Sequence, residues 1–172
     1  MPEIKVLIYD DNADRRESLS VLLSLSPGLD CLGSFPDCSN VEEEIRTLSP
    51  DVVLMDIDMP NVNGIEGLQI IHRVFPGVKV LMQTVFEENE KIFESLRYGA
   101  AGYILKTEPP YRILEAIQQV YDGGAIMTPS VAVKVLLYFQ QEVPQKKPLR
   151  FDLSERELEV LKLLADGNSY KM

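Results

Sequence analysis

The stretch Val52-Val53-Leu54-Met55-Asp56-Ile57-Asp58-Met59-Pro60 decides the fold. Four consecutive apolar residues end on an acid, and a proline closes the loop that follows. An unbroken apolar run of this length reads as a strand buried on both faces, the pattern of a parallel sheet rather than of a half-exposed antiparallel one. Similar runs lie on either side of it. Ile4-Lys5-Val6-Leu7-Ile8-Tyr9 closes on Asp10-Asp11, Val78 to Met82 leads through Gln83 to Thr84, and Tyr103-Ile104-Leu105 leads to Lys106. A weaker strand signal surrounds Cys31-Leu32-Gly33-Ser34-Phe35.

Helical periodicity fills the gaps. Leu19, Leu22 and Leu23 mark a helix over 14–25, Val41 to Leu48 a second, and Ile65, Leu68, Ile71 and Val74 a third that stops at Pro76-Gly77. Ile92, Phe93 and Leu96 line a fourth helix ending at Gly99. Ile113, Ile117, Val120 and Tyr121 line a fifth ending at Gly123-Gly124. Five alternations of strand and helix imply an α/β fold, a flavodoxin-like (βα)5 doubly wound parallel sheet in the order 2-1-3-4-5. In that order the first and third strands flank the switch point where ligands bind.

Three segments follow from these signals: a domain over 1–125, a linker over 126–150 and the start of another unit over 151–172. Thr128-Pro129 reads as an N-cap with proline at the first helical position, opening an apolar linker helix from Ser130 to Phe139. Residues 140–148, with Pro144 and Pro148, read as a semi-extended connection. Ser154 and Glu157 have capping-box spacing ahead of Leu158, Leu161, Leu164 and Ala165, and Gly167 marks the end of that helix.

At 172 residues, 45% hydrophobic and 26% charged, the chain is ordinary globular material, long enough for one domain and part of another. Its net charge of -10 is uneven: residues 146–172 hold six Lys/Arg against five Asp/Glu, and residues 1–145 eleven against twenty-two. The long acidic part would repel nucleic acid. The N-terminus lacks a signal-peptide pattern, no run approaches transmembrane length, and Cys31 and Cys38 match no metal spacing. A cytoplasmic protein with reduced thiols and no membrane partner is the expectation.

Asp10, Asp11 and Asp56 at adjacent strand ends would repel one another, and a hard cation such as Mg2+ is the usual compensation. Asp56 is the candidate nucleophile, because it ends the most completely apolar strand and faces the crevice. Asp10 and Asp11 are candidate metal ligands, Thr84 a hydroxyl donor to a phosphoryl oxygen and Lys106 its cationic partner. Each alone reads as a capping acid, a capping threonine or a solvated lysine. Together they read as one phosphoryl-accepting site.

Tyr9-Asp10-Asp11, Leu54 to Pro60, Thr84 and Tyr103-Ile104-Leu105-Lys106 resemble the motifs of a bacterial two-component response regulator, over residues 4 to about 122. Leu153 to Leu161, with Ala165, Gly167, Ser169 and Lys171, resembles the opening of a NarL/LuxR helix-turn-helix output domain. The resemblance implies phosphoryl transfer to Asp56 from a sensor histidine kinase. It also implies Mg2+ held by Asp11, the Asp56 carboxylate and the Asp58 backbone carbonyl, with Asp10 acting less directly, and a switch pair of Thr84 and Tyr103. Asp58 and Phe86 would set the lifetime of the aspartyl phosphate, and Val85, where the family usually has alanine or glycine, would narrow the path to Asp56. The apolar linker helix needs cover, either against the receiver or in a homodimer, and a homodimer on phosphorylation is compatible with it. With only the first helix of the output domain in the sequence, this span is expected to bind DNA poorly, the full-length protein to bind it well.

Two rival readings accompany this one. The Asp56-Ile57-Asp58 strand end also suits a haloacid-dehalogenase-like phosphatase with Asp58 as acid/base, although Asp10-Asp11 would then lack a role. A stand-alone receiver acting only as an interaction module is the other. His72, the one histidine, reads as a helix-side residue rather than a phosphoryl carrier.

Overall fold

The structure, a computed structural model, describes residues 3–85, 88–142 and 154–165. Six parallel strands lie in the order β2-β1-β3-β4-β5-β6: β1 Ile4–Tyr9, β2 Leu29–Phe35, β3 Val52–Asp56, β4 Lys79–Thr84, β5 Gly102–Leu105 and β6 Ile126–Met127. The five-strand order is as expected, and a sixth strand adds to the β5 edge. Helices α1 (Ala13–Ser24), α2 (Val41–Leu48), α3 (Gly64–Val74), α4 (Asn89–Arg97) and α5 (Pro110–Tyr121) connect them.

Strand pleating sends successive side chains to opposite faces, and the two cores follow that alternation. Leu7, Tyr9, Val53, Met55 and Met82 pack on one face with Val41, Ile45, Leu68, Ile71 and Ile92 of α2, α3 and α4. Val6, Ile8, Val52, Leu54 and Leu81 pack on the other with Leu19, Leu23, Ile113, Ile117 and Val120 of α1 and α5. Tyr121, expected on the buried face of α5, is exposed, since the stripe closes at Val120.

Two boundaries differ from the sequence reading in ways that shape the site. β4 runs on to Thr84 instead of stopping at Met82, because Gln83 pairs with Asp56 and Thr84 with Leu105. Thr128 precedes α6 (Pro129–Glu142), and its carbonyl accepts the Ala132 N–H at 3.0 Å. Its hydroxyl, however, accepts from Leu105 N at 3.1 Å, while its own N–H donates to Tyr103 O at 3.1 Å. β6 is only two residues long, so the groups of β5 beyond it take their partners from Thr128. Gly102 permits the pairing, since a Cβ there would crowd the Ile126 carbonyl.

The chain divides into two compact units, Met1–Leu137 and Tyr138–Met172. The first contains the sheet and the start of α6, whose Val131 is fully buried in the α2/α3/α4 core. In the second, α7 (Glu155–Ala165) opens with the expected cap: the Glu157 carboxylate accepts from Ser154 N at 2.8 Å and from its hydroxyl at 2.7 Å. Leu158 and Leu161 on α7 are exposed. α6 runs on to Glu142, past the expected end at Phe139, and the rest of the expected connection over 140–148, with the residues from 166 onward, lies outside the described residues.

Candidate functional site at the strand ends

β1 and β3 are neighbours in the sheet, so their C-terminal acids are brought together across 46 residues of sequence. Asp10 and Asp56 are 2% and 5% exposed, Asp11 is exposed beside them, and one carboxylate oxygen from each lies within 4.8 Å of the others. Three carboxylates so close require positive charge. Lys106 supplies it from the end of β5: its Nζ lies 2.7 Å from both Asp10 Oδ2 and Asp56 Oδ2. The remaining Asp56 oxygen, Oδ1, accepts from Ile57 N at 2.8 Å. Burial holds the Asp56 carboxyl above the ordinary carboxylate range, opposed by the hydrogen bond and charge of Lys106 and reinforced by the charge of Asp10.

The backbone under Asp56 is tightly built. α3 starts with a capping box between Asn63 and Glu66, and Gly64 N donates to Ile57 O at 2.9 Å. A side chain on Gly64 would overlap the Asp56 carbonyl, so glycine alone lets α3 begin there. Asp58, exposed in the same loop, gives both carboxylate oxygens to Lys91 Nζ of α4 at 2.9 Å. Thr84 is fully buried at the end of β4, and Tyr103 fully buried on β5. Met82 pairs with Tyr103 and Thr84 with Leu105, so pleating puts Thr84 one register step beyond the Tyr103 ring on the same face. Asp10, Asp56, Gln83 and Lys106 fall on the opposite face by the same alternation.

Sequence reading thus located Asp10, Asp11, Asp56 and Lys106 in one cluster and Thr84 at its edge. Val85 is 61% exposed beyond Thr84, and Phe86 lies outside the described residues. His72 is exposed on α3, and Cys31 and Cys38 are free thiols. Two participants escaped notice. Arg15 of α1 donates to Gln83 Oε1 at 3.1 Å and to Lys106 O at 3.4 Å, with its Nε 3.4 Å from Asp10 Oδ2. A glutamine interrupting the apolar run of β4 was the available signal.

Comparison with known proteins settles the family. The response regulator receiver domain family matches residues 6–118. The chain belongs to the response regulators. It is similar to the transcriptional regulatory protein LnrK of Bacillus subtilis strain 168, 39% identical over 98% of this chain and 80% of the relative. The structure resembles that of response regulator ChrA of a heme-sensing two-component system, with 30% identity, TM-score 0.67 and coverage of 98% of this chain and 78% of that one. It also resembles the response regulator domain of Thermotoga maritima CheB, with 33% identity, TM-score 0.65 and coverage of 70% and 97%. Its relatives are NarL/LuxR-type response regulators. Response regulators are in general signal transducers, and their receivers bind Mg2+ at an acidic pocket of the kind formed here. No described helix is long and apolar enough to cross a membrane.

Proposed function

We propose that Asp56 is the phosphoryl acceptor of this response regulator and that a sensor histidine kinase is the donor. The observation that carries the reading is the Lys106 ammonium, 2.7 Å from carboxylate oxygens of both Asp10 and Asp56. A carboxylate oxygen of Asp56 would attack phosphorus, forming an O–P bond as the P–N bond of phosphohistidine breaks, and the leaving imidazole would take up a proton. Lys106 can follow the charge from the carboxylate to a phosphoryl oxygen without leaving the cluster. The Thr84 hydroxyl would donate to a second phosphoryl oxygen, and Tyr103 would answer the Thr84 movement from the same face of the sheet.

Asp10, Asp11 and Asp56 suit a divalent cation, since all three offer oxygen and one of them faces solvent. Mg2+ held there, with help from the Asp58 carbonyl, would neutralise the acids and the incoming phosphoryl oxygens. This chemistry modifies the protein itself, so self-catalysed phosphorylation and dephosphorylation are the only turnover we assign. Incubation with a small phosphodonor and Mg2+ followed by mass spectrometry tests it. A hydroxylamine-labile phosphoryl adduct on Asp56, lost in Asp56→Asn, is expected; an adduct that survives the substitution would overturn the assignment.

We assign residues 1–125 to the receiver, 126–150 to the linker and 151–172 to the opening of a LuxR-type helix-turn-helix, whose capped first helix is α7. DNA is then the partner of the complete output domain, and this span alone should bind it weakly. Dimerisation on phosphorylation is part of the same reading, as is a cytoplasmic location, which the two free thiols support.

A further inference from the structure

The acidic edge holds cations that phosphoryl acceptance does not use: Arg16 donates to the backbone carbonyls of Asp10 and Asp11 at 2.7 and 3.1 Å, and Arg15 meets an acid side chain. Arg15 stands at the first turn of α1, its guanidinium tied to two neutral acceptors, Gln83 Oε1 at 3.1 Å and the Lys106 carbonyl at 3.4 Å. Those ties hold its Nε 3.4 Å from Asp10 Oδ2, the same oxygen that Lys106 Nζ touches at 2.7 Å. One buried carboxylate oxygen is therefore shared between two cations.

Gln83 is 2% exposed in a strand whose preceding residues are apolar, an expensive place for an amide. Its Nε2, and the Nε of Arg15, are buried without a hydrogen-bond partner among the described residues. An arrangement that leaves two donors unsatisfied is not explained by hydrogen bonding alone. What it achieves is the fixing of a permanent positive charge against Asp10, because a guanidinium does not deprotonate in a protein. Asp10, Asp11 and Asp56 opposed by Lys106 and Arg15 leave one net negative charge, where Lys106 alone would leave two.

We propose that Arg15, held by Gln83, is a built-in counter-charge of the acidic cluster that weakens its affinity for a divalent cation. The inference rests on the assignment of Asp10, Asp11 and Asp56 as the metal site. An arriving cation must share Asp10 with a guanidinium anchored on β4 and β5, which is not free to swing away as a surface side chain would be. Arg15 is thus a positioning residue acting through Asp10. It moves charging of the site to higher cation concentration than the three acids and Lys106 alone would need.

Calorimetric titration of the 172-residue chain with MgCl2 at constant ionic strength, with the Mg2+ dependence of Tm as a second measure of Kd, tests this. Arg15→Met, and Arg15→Gln as a second neutral variant, should bind Mg2+ at least about tenfold more tightly than the wild type, the size expected for removing one charge about 6 Å from a divalent cation even in a water-like dielectric. Arg15→Lys should stay within about twofold of wild type, and Gln83→Leu should fall between. Circular dichroism verifies that each variant is folded. Unchanged Kd in the folded neutral variants would overturn the proposal and leave the metal site standing. Arg15→Lys tightening as much as Arg15→Met would overturn it too, because charge would not be the cause. No binding by wild type or any Arg15 variant would remove the metal site and this inference together.

Discussion

At the ends of β3, β4 and β5 the two faces of one sheet carry different chemistry. The face toward α1 and α5 presents Asp10, Asp56, Gln83 and Lys106, held by ion pairs of 2.7 Å and by Arg15. The face toward α3 and α4 presents Thr84 and Tyr103, both fully buried in a core that reaches Val131 of α6. Electrostatics governs the first and packing the second. In the proposed reading, a signal arriving as charge on one face becomes a packing change on the other, carried through the strand ends. Gln83 and Thr84, consecutive residues facing opposite ways, are where that conversion is shortest.

Substitutions on the two faces should separate these properties. Tyr103→Ala removes a large side chain from the packed face and should cost about 3–4 kcal/mol in urea denaturation, with Mg2+ affinity unchanged. A large change in Mg2+ affinity would mean that the faces are not independent. Lys106→Met acts on the charged face: it removes the cation that Asp10 and Asp56 share, and should cost about 3 kcal/mol. Combining it with Asp56→Asn should recover much of that loss; additive losses would break the electrostatic reading.

Asp56→Asn alone should stabilise the fold by about 1 kcal/mol at neutral pH, raising Tm by about 3 °C. The sign follows from the raised Asp56 carboxyl. Between the unfolded carboxylate value, about 3.9, and the higher folded value, the native state binds more protons than the unfolded one. The Asp56 contribution to stability therefore falls as pH rises through that window. Wild type and variant should converge in stability on acidification, and a gap independent of pH would contradict the cause. The smallest effect is expected at Val85, exposed beyond Thr84: Val85→Ala should speed phosphorylation by small phosphodonors about two- to fivefold, the scale of one relieved steric contact. Equal rates would show that the route to Asp56 passes elsewhere.

Much of this was legible in the residue order. Five apolar runs at strand spacing announced the parallel sheet, and each site acid or base directly follows one of them, so strand direction alone placed them on one edge. β6 was not legible, since Ile126-Met127 is too short to show a period and is a strand only because the β5 edge is open beside it. The Thr128 hydroxyl looked like a helix cap and instead serves Leu105, a choice made by a neighbour 23 residues away. Arg15 and Gln83 escaped for the same reason: neither has a local partner.

The sequence by itself determined the alternation, the edge on which Asp10, Asp56, Thr84 and Lys106 gather, and the need to neutralise three acids. Those follow from local periodicity and from the charge each side chain carries. Only the tertiary structure decided which cations do the neutralising, and that they converge on a single Asp10 oxygen. Coulomb energy depends on distances of a few ångströms between residues 5 to 96 positions apart, and no local pattern encodes such distances.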